Sequence, residues 1–163
     1  MSGSSVVVEG VLMIAAIVAA SIFASSFVVK LAEFKDSFNS VMRSYSDKVK
    51  TNIMIIYATY LNSTGSFVVY ARNIGETSVF IKSISVYFGN TTELDLYTYD
   101  YDGVPAPGEW DYSTVNSPDN GLWEPGETLV FYIYNVTTLT PPYVVKLVLP
   151  NGYVAQETFA PLP

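Results

Sequence analysis

From Gly10 to Val29 the chain runs for 20 residues without a charged side chain. As a helix, at about 1.5 Å per residue, this stretch covers ~30 Å, the thickness of a hydrocarbon core. A secretory leader has a basic start and a shorter apolar run. Here no Lys or Arg precedes Lys30. The stretch reads as a retained membrane anchor. Glu9 stands at its entrance, where the positive end of a helix dipole favours a carboxylate. At 100° per residue, Glu9, Ala16, Ala20, Phe23, Ala24 and Phe27 share one face. Ala16, Ala20 and Ala24 form a small-xxx-small series, which lets helices approach closely in lipid.

Nothing breaks the helix after the anchor. Between Gly10 and Gly65 there is no Gly, and the first Pro is Pro105. Leu31, Phe34, Phe38, Val41, Tyr45 and Val49 recur at alternating steps of three and four. That is the seam of a coiled coil or bundle. The spacing predicts helix–helix contacts between copies, with an amphipathic helix lying on its own globular domain as the alternative.

The pattern changes at Thr51. NIMIIYATYL, SFVVYARN, VFIKSISVYFG, ELDLYTYDY, ETLVFYIYNV, YVVKLVLP and GYVAQETF are β-branched and aromatic runs divided by turn residues. In the third, alternation puts Phe80, Lys82, Ile84, Val86 and Phe88 on one face. Pro150-Asn151-Gly152 predicts a hairpin. The expected fold is mainly β with one long N-terminal α-helix: an antiparallel, immunoglobulin-like β-sandwich on a transmembrane and stalk helix. The divisions are an anchor at 1–29, a stalk at 30–50 and a β-sandwich ectodomain at 51–163. Residues 102–125 show little strand pattern beyond a short strand at 110–115. They read as a long loop, with Trp110, Tyr112 and Trp123 as candidate partner contacts.

Composition removes many functions. There is no Cys and no His, so disulfides, Cys/His zinc sites and His-based triads are excluded. From Thr51 onward 3 Lys and Arg face 11 Asp and Glu. Such a surface repels nucleic acid. Glu124 and Glu127 flank a Pro-Gly turn and do not make a hydrolytic pair. Neither Lys82 nor Lys146 has a Ser-x-x-Lys motif. No catalytic residue, metal ligand, cofactor or small-molecule substrate is expected. Asp100-Tyr101-Asp102-Gly103 reads as an acidic turn, with a calcium loop as the weaker reading. The aromatics around Trp110 and Trp123 raise the alternative of a carbohydrate platform.

Two signals conflict on topology. Lys30, Lys35, Arg43, Lys48 and Lys50 follow the anchor, which the positive-inside rule places in the cytoplasm. Sequons at Asn62, Asn90 and Asn135 and the acidic, Tyr-rich surface point outside. The outside reading is preferred, because Glu33, Asp36 and Asp47 accompany the basic residues.

An early Glu, an unbroken anchor and stalk, and a small β-sandwich together resemble the type IV pilin superfamily of archaea. MSGSSVVVEG has Gly3 but no basic residue before the apolar run, unlike a processed filament subunit. IMIIYA, FVVYARNIGETSV and WEPGE are similar to the archaellar accessory (stator) family, to its G type more than its F type. The resemblance implies a non-enzymatic stator component of the archaellum motor, needed for motility. It implies a single pass through the cytoplasmic membrane, contact with lipid and a β domain in the pseudo-periplasm. Its partners would be further copies, as a homo-oligomer or filament, and the companion F protein, which ties it to the S-layer. A pilin-like filament or adhesin subunit is the alternative, and an anchored carbohydrate- or calcium-binding module a further one.

Overall fold

The computed structural model describes residues 3–62, 65–115, 117–134 and 139–160. They form one long helix, α1 (Gly3–Lys50), followed by ten strands. The chain divides into two compact units, Met1–Ser44 and Tyr45–Pro163.

In the first unit the helix has no breaker to end it. Two of the serines in its apolar stretch bond backbone one turn back. Ser21 Oγ donates to the Ile17 carbonyl and Ser25 Oγ to the Ser21 carbonyl, both at 2.8 Å. Neither of these two hydroxyls needs water inside the apolar stretch. The most apolar stretch has a mean hydropathy of 2.5 and none of it is buried.

The second unit begins with the last helical turns. Thr51 ends the helix: its N–H and its hydroxyl both bond the Asp47 carbonyl. Lys48 and Lys50 sit in the last turn, where the dipole favours cations. Strand β1 (Ile53–Leu61) follows and pairs antiparallel with β2 (Ser66–Asn73). A register shift between Ile55 and Tyr57 leaves Ile56 unpaired and exposed. Then come β3 (Val79–Phe80), β4 (Ser85–Asn90), β5 (Leu94–Tyr99), β6 (Glu109–Val115), β7 (Leu122–Trp123), β8 (Thr128–Ile133), β9 (Tyr143–Val148) and β10 (Val154–Phe159). The order of the large sheet is β1-β2-β8-β6-β5-β4-β9-β10, and β3 pairs with β7 alone.

The eight strands fold over on themselves. Phe67, Val69 and Phe131 from one half share a core with Val86, Phe88, Val145 and Leu147 from the other. The Phe67 and Phe88 rings lie 4.4 Å apart. The expected two-layer β domain on a long helix is therefore the observed one. The β9–β10 turn is as expected too: Gly152 has φ 75°, which only Gly adopts freely, and its N–H bonds the Leu149 carbonyl.

Three local expectations need correction. The sheet is not wholly antiparallel: β5 and β6 run parallel, with Thr98 opposite Glu109 and Tyr99 opposite Trp110. The third run is not one strand. A 3-10 turn at Ile81–Ser83 interrupts it and resets the alternation. Ile81 is buried while Phe80 is 71% exposed, so Phe80 and Lys82 do not share the core face of Val86 and Phe88. Within residues 102–125 the expected short strand is present as β6, inside the large sheet, but Leu122 and Trp123 are not loop: they form β7, which pairs with β3.

Candidate interaction surfaces

The helix of the first unit is an uncovered surface. Leu31, Phe34, Phe38 and Val41 are each more than half exposed, as are Tyr45 and Val49 of the second unit. An apolar stripe of this size has no stable place in water. The stripe is locally ordered: the Phe34 and Phe38 rings stack at 6.3 Å, and Lys30 Nζ donates to Glu33 Oε2 at 2.7 Å. Glu9, Ala16, Ala20 and Ala24 are exposed along the same helix. Their common face follows from the 100° step of the observed α1.

At the other end of α1 a polar joint closes. Thr51 is 2% exposed. Its hydroxyl donates to the Asp47 carbonyl at 2.7 Å and accepts from Asn151 Nδ2 at 2.7 Å. Thr77 Oγ1 lies 2.7 Å away and completes the set, so both lone pairs and the proton of Thr51 are used. Glu76 N–H bonds the Lys50 carbonyl and Ile74 N–H the Asn52 carbonyl, both at 2.8 Å. Tyr153 reaches back from the C-terminal hairpin, its hydroxyl donating to Asn52 Oδ1 at 3.1 Å. Gly75 fits against this joint because it has no side chain. A Cβ there would stand 2.5 Å from both Asn52 N and the Lys50 carbonyl oxygen.

Asn73 organises the neighbouring loop. It is fully buried, and its Nδ2 donates to the carbonyls of Thr77 and Trp123 at 2.8 and 3.0 Å. Its Oδ1 accepts from Gly75 N–H at 3.0 Å. This joint was not foreseen from the sequence. Its residues are ordinary turn polar groups, and only the fold brings 51, 73, 77, 151 and 153 together.

The proposed partner contacts fare differently. Trp110 and Trp123 are 1% and 0% exposed and both pack against Phe131, with ring centroids at 5.6 and 5.7 Å. They belong to the core and offer no surface to a partner or a sugar. Tyr112 is half-buried, and its hydroxyl bonds Asp119. Around it lies an acidic, tyrosine-rich region. Burial, with Asp111, Asp119 and Asp100 nearby, raises the phenol pKa of Tyr99. Burial and the Asp119 bond raise that of Tyr112, and burial with Asp111 and Asp100 that of Tyr134.

Asp100 is 4% exposed and closes its own turn, with Oδ1 accepting from Asp102 and Gly103 N–H. Among the described residues no three carboxylates converge to hold a metal ion. Glu127 Oε2 accepts from Glu124 N–H at 2.8 Å, so that pair serves its Pro-Gly turn. Of the sequons, Asn62 lies in the β1–β2 turn, Asn90 is the last residue of β4, and Asn135 is outside the described residues.

The chain matches the archaeal-type flagellin family over residues 3–159. An uncharacterized protein of Archaeoglobus fulgidus is 26% identical over 163 residues, covering 95% of this chain and 97% of its own. The archaellum periplasmic stator protein FlaG of Sulfolobus acidocaldarius superposes with a TM-score of 0.54 at 28% identity, over 67% of this chain and 99% of that one. A chain of the stator complex of FlaF and FlaG from the same organism gives 0.53 at 28% identity, over 66% and 87%.

Proposed function

Because the chain belongs to the archaeal-type flagellin family, we propose that it serves the archaellum as an accessory stator component of the FlaG type. One observation carries the reading. The same chain joins a FlaG-like sandwich to a helix whose apolar residues are uncovered from end to end. Such a helix needs lipid over its first half and other helices over its second.

In this reading the role is mechanical. Residues 1–29 hold the protein in the cytoplasmic membrane in a single pass. Residues 30–50 associate through Leu31, Phe34, Phe38, Val41, Tyr45 and Val49. The sandwich stands outside the membrane. There it docks to a companion F-type protein and through it to the S-layer. The joint at Thr51 suits this work, since the last helical turns are bonded to two separate loops of the sandwich. Carboxylates beside the basic segment support the outward topology. Lys30 is paired with Glu33, and Lys50 lies 4.0 Å from Glu76.

The test is Phe38→Glu in full-length protein, read by oligomer size in detergent and by swimming. Loss of both is expected. Unchanged size with normal swimming would reject the stalk seam. Protease treatment of intact cells tests topology: a protected β unit overturns the outward placement.

The family match supports a second reading, a filament subunit. It requires processing near Gly3, so an intact amino terminus in the assembled protein rejects it.

A further inference from the structure

Asn62 and Asn90 lie at one end of the sandwich, and the strand registers fix which end. Ile53 opposite Asn73, and Ser85 opposite Val148, mark the end that receives the helix. Leu61 opposite Ser66, and Asn90 opposite Tyr143, mark the far end. Asn62 is exposed in the β1–β2 turn, and Asn90 closes β4 before the exposed Thr91-Thr92-Glu93 tip. Both stand in Asn-x-Thr sequons, acceptors that belong on exported surface turns.

At Asn90 the side chain is held in one orientation. Its Oδ1 accepts from Thr92 N–H at 2.9 Å, from the Thr92 hydroxyl at 2.7 Å and from Glu93 N–H at 2.9 Å. The oxygen thus faces into the turn. The amide nitrogen faces away and has no hydrogen-bond partner among the described residues. A turn of this kind needs only the acceptor, and Asp would supply it equally well. The amide nitrogen is surplus to the turn.

We propose that Asn90 is an N-glycosylation site, with Asn62 a second one on the same end, taking an oligosaccharide from a polyisoprenyl-phosphate-linked donor. In the transfer, Asn90 Nδ2 forms a bond to the anomeric carbon of the first sugar. The bond from that carbon to the phosphate oxygen breaks, and its electron pair leaves with the lipid phosphate. The amide loses one proton, and nothing is oxidised or reduced. The far end then carries hydrated glycan, and protein partners are directed to the sides of the sandwich and to the helix. This rests on the outward topology proposed above, because the β unit must be on the side where the transfer occurs.

The experiment uses full-length protein from the membranes of its own host, with peptide mass spectrometry across residues 82–146. Glycan mass on Asn90 is expected in the wild type. Thr92→Ser keeps the acceptor and retains it. Thr92→Ala and Asn90→Asp lose it, and Asn90→Asp preserves the turn, so its melting after deglycosylation should match the wild type. Intact cells are treated with protease in parallel. A bare Asn90 on a β unit that protease reaches overturns the glycan site and leaves the topology standing. A bare Asn90 on a protected β unit overturns the topology and this proposal with it.

Discussion

The Tyr112 hydroxyl donates to both carboxylate oxygens of Asp119, at 2.9 and 3.0 Å. The bond ties the segment after β6 back onto the strand. It also holds the phenol proton, and the Tyr112 pKa is raised well above its ordinary 10.0 by burial and by this bond. Tyr99 and Tyr134 shift the same way. The folded state therefore keeps protons that the unfolded chain releases near pH 10. The associated stability is fully present below about pH 10 and falls as pH rises toward the folded values. Denaturant titrations of the full chain in detergent should show an alkaline loss beginning above pH 10. Tyr112→Phe should cost about 0.5–1.5 kcal/mol at neutral pH, the range for one exposed hydrogen bond. It should also flatten the alkaline loss. An unchanged slope would show that Tyr112 does not carry it.

Asn73 makes a second prediction. Its amide satisfies two carbonyls and one N–H in a site closed to water. Asn73→Leu removes all three bonds and leaves those backbone groups unpaired, at about 1–3 kcal/mol each before relaxation. The expected outcome is a loss of several kcal/mol in unfolding free energy. Asn73→Asp keeps the acceptor for Gly75 but loses both donors and turns a buried carboxylate toward two carbonyl oxygens, so it should be strongly destabilising too. A fully stable Asn73→Leu would mean that water reaches the site.

At the joint, Gly75→Ala is the sharpest probe. The added Cβ meets backbone on both sides, and neither atom can rotate away. The loop or the helix end must move, at roughly 1–3 kcal/mol. The neighbouring bonds from Glu76 and Ile74 should weaken with it. Hydrogen exchange at those two amides should speed up while Val145 and Leu147, in the core, stay protected. Uniform acceleration would mean global destabilisation instead.

The helix was legible because its signals are local: 20 uncharged residues, no breaker, and an apolar step of three and four. The strands were legible where β-branched runs are joined through Asn-Gly, as β9 and β10 are. The break at Ile81–Ser83 was not, because Ile81 and Ile84 read as strand residues and a 3-10 turn carries no composition signature. The buried places of Trp110 and Trp123 were hidden by their Pro- and Gly-rich surroundings, which resemble a loop in sequence while β6 pairs with β8 deep in the sheet. The joint was invisible for another reason. Thr51, Asn73 and Asn151 are distant in the chain, and no pattern in one sequence links them.

The last prediction concerns the uncharged half of the helix, which the proposed function places in lipid. Ala16, Ala20 and Ala24 fall on one side, with Glu9 above them, and close helix approach needs small residues there. Ala20→Ile should separate the backbones without reducing hydrophobicity, so insertion is unaffected. Self-association in membranes should therefore fall, because the packing between backbones is lost. Ser21→Ile, off this face, is the control and should change little. Glu9→Gln keeps the size and removes the charge. If Glu9 pairs with a neighbouring subunit, the variant should still insert and cross-link less through a cysteine placed at Ala16. Equal cross-linking in Glu9→Gln and wild type would leave Glu9 as a residue that merely tolerates the membrane edge.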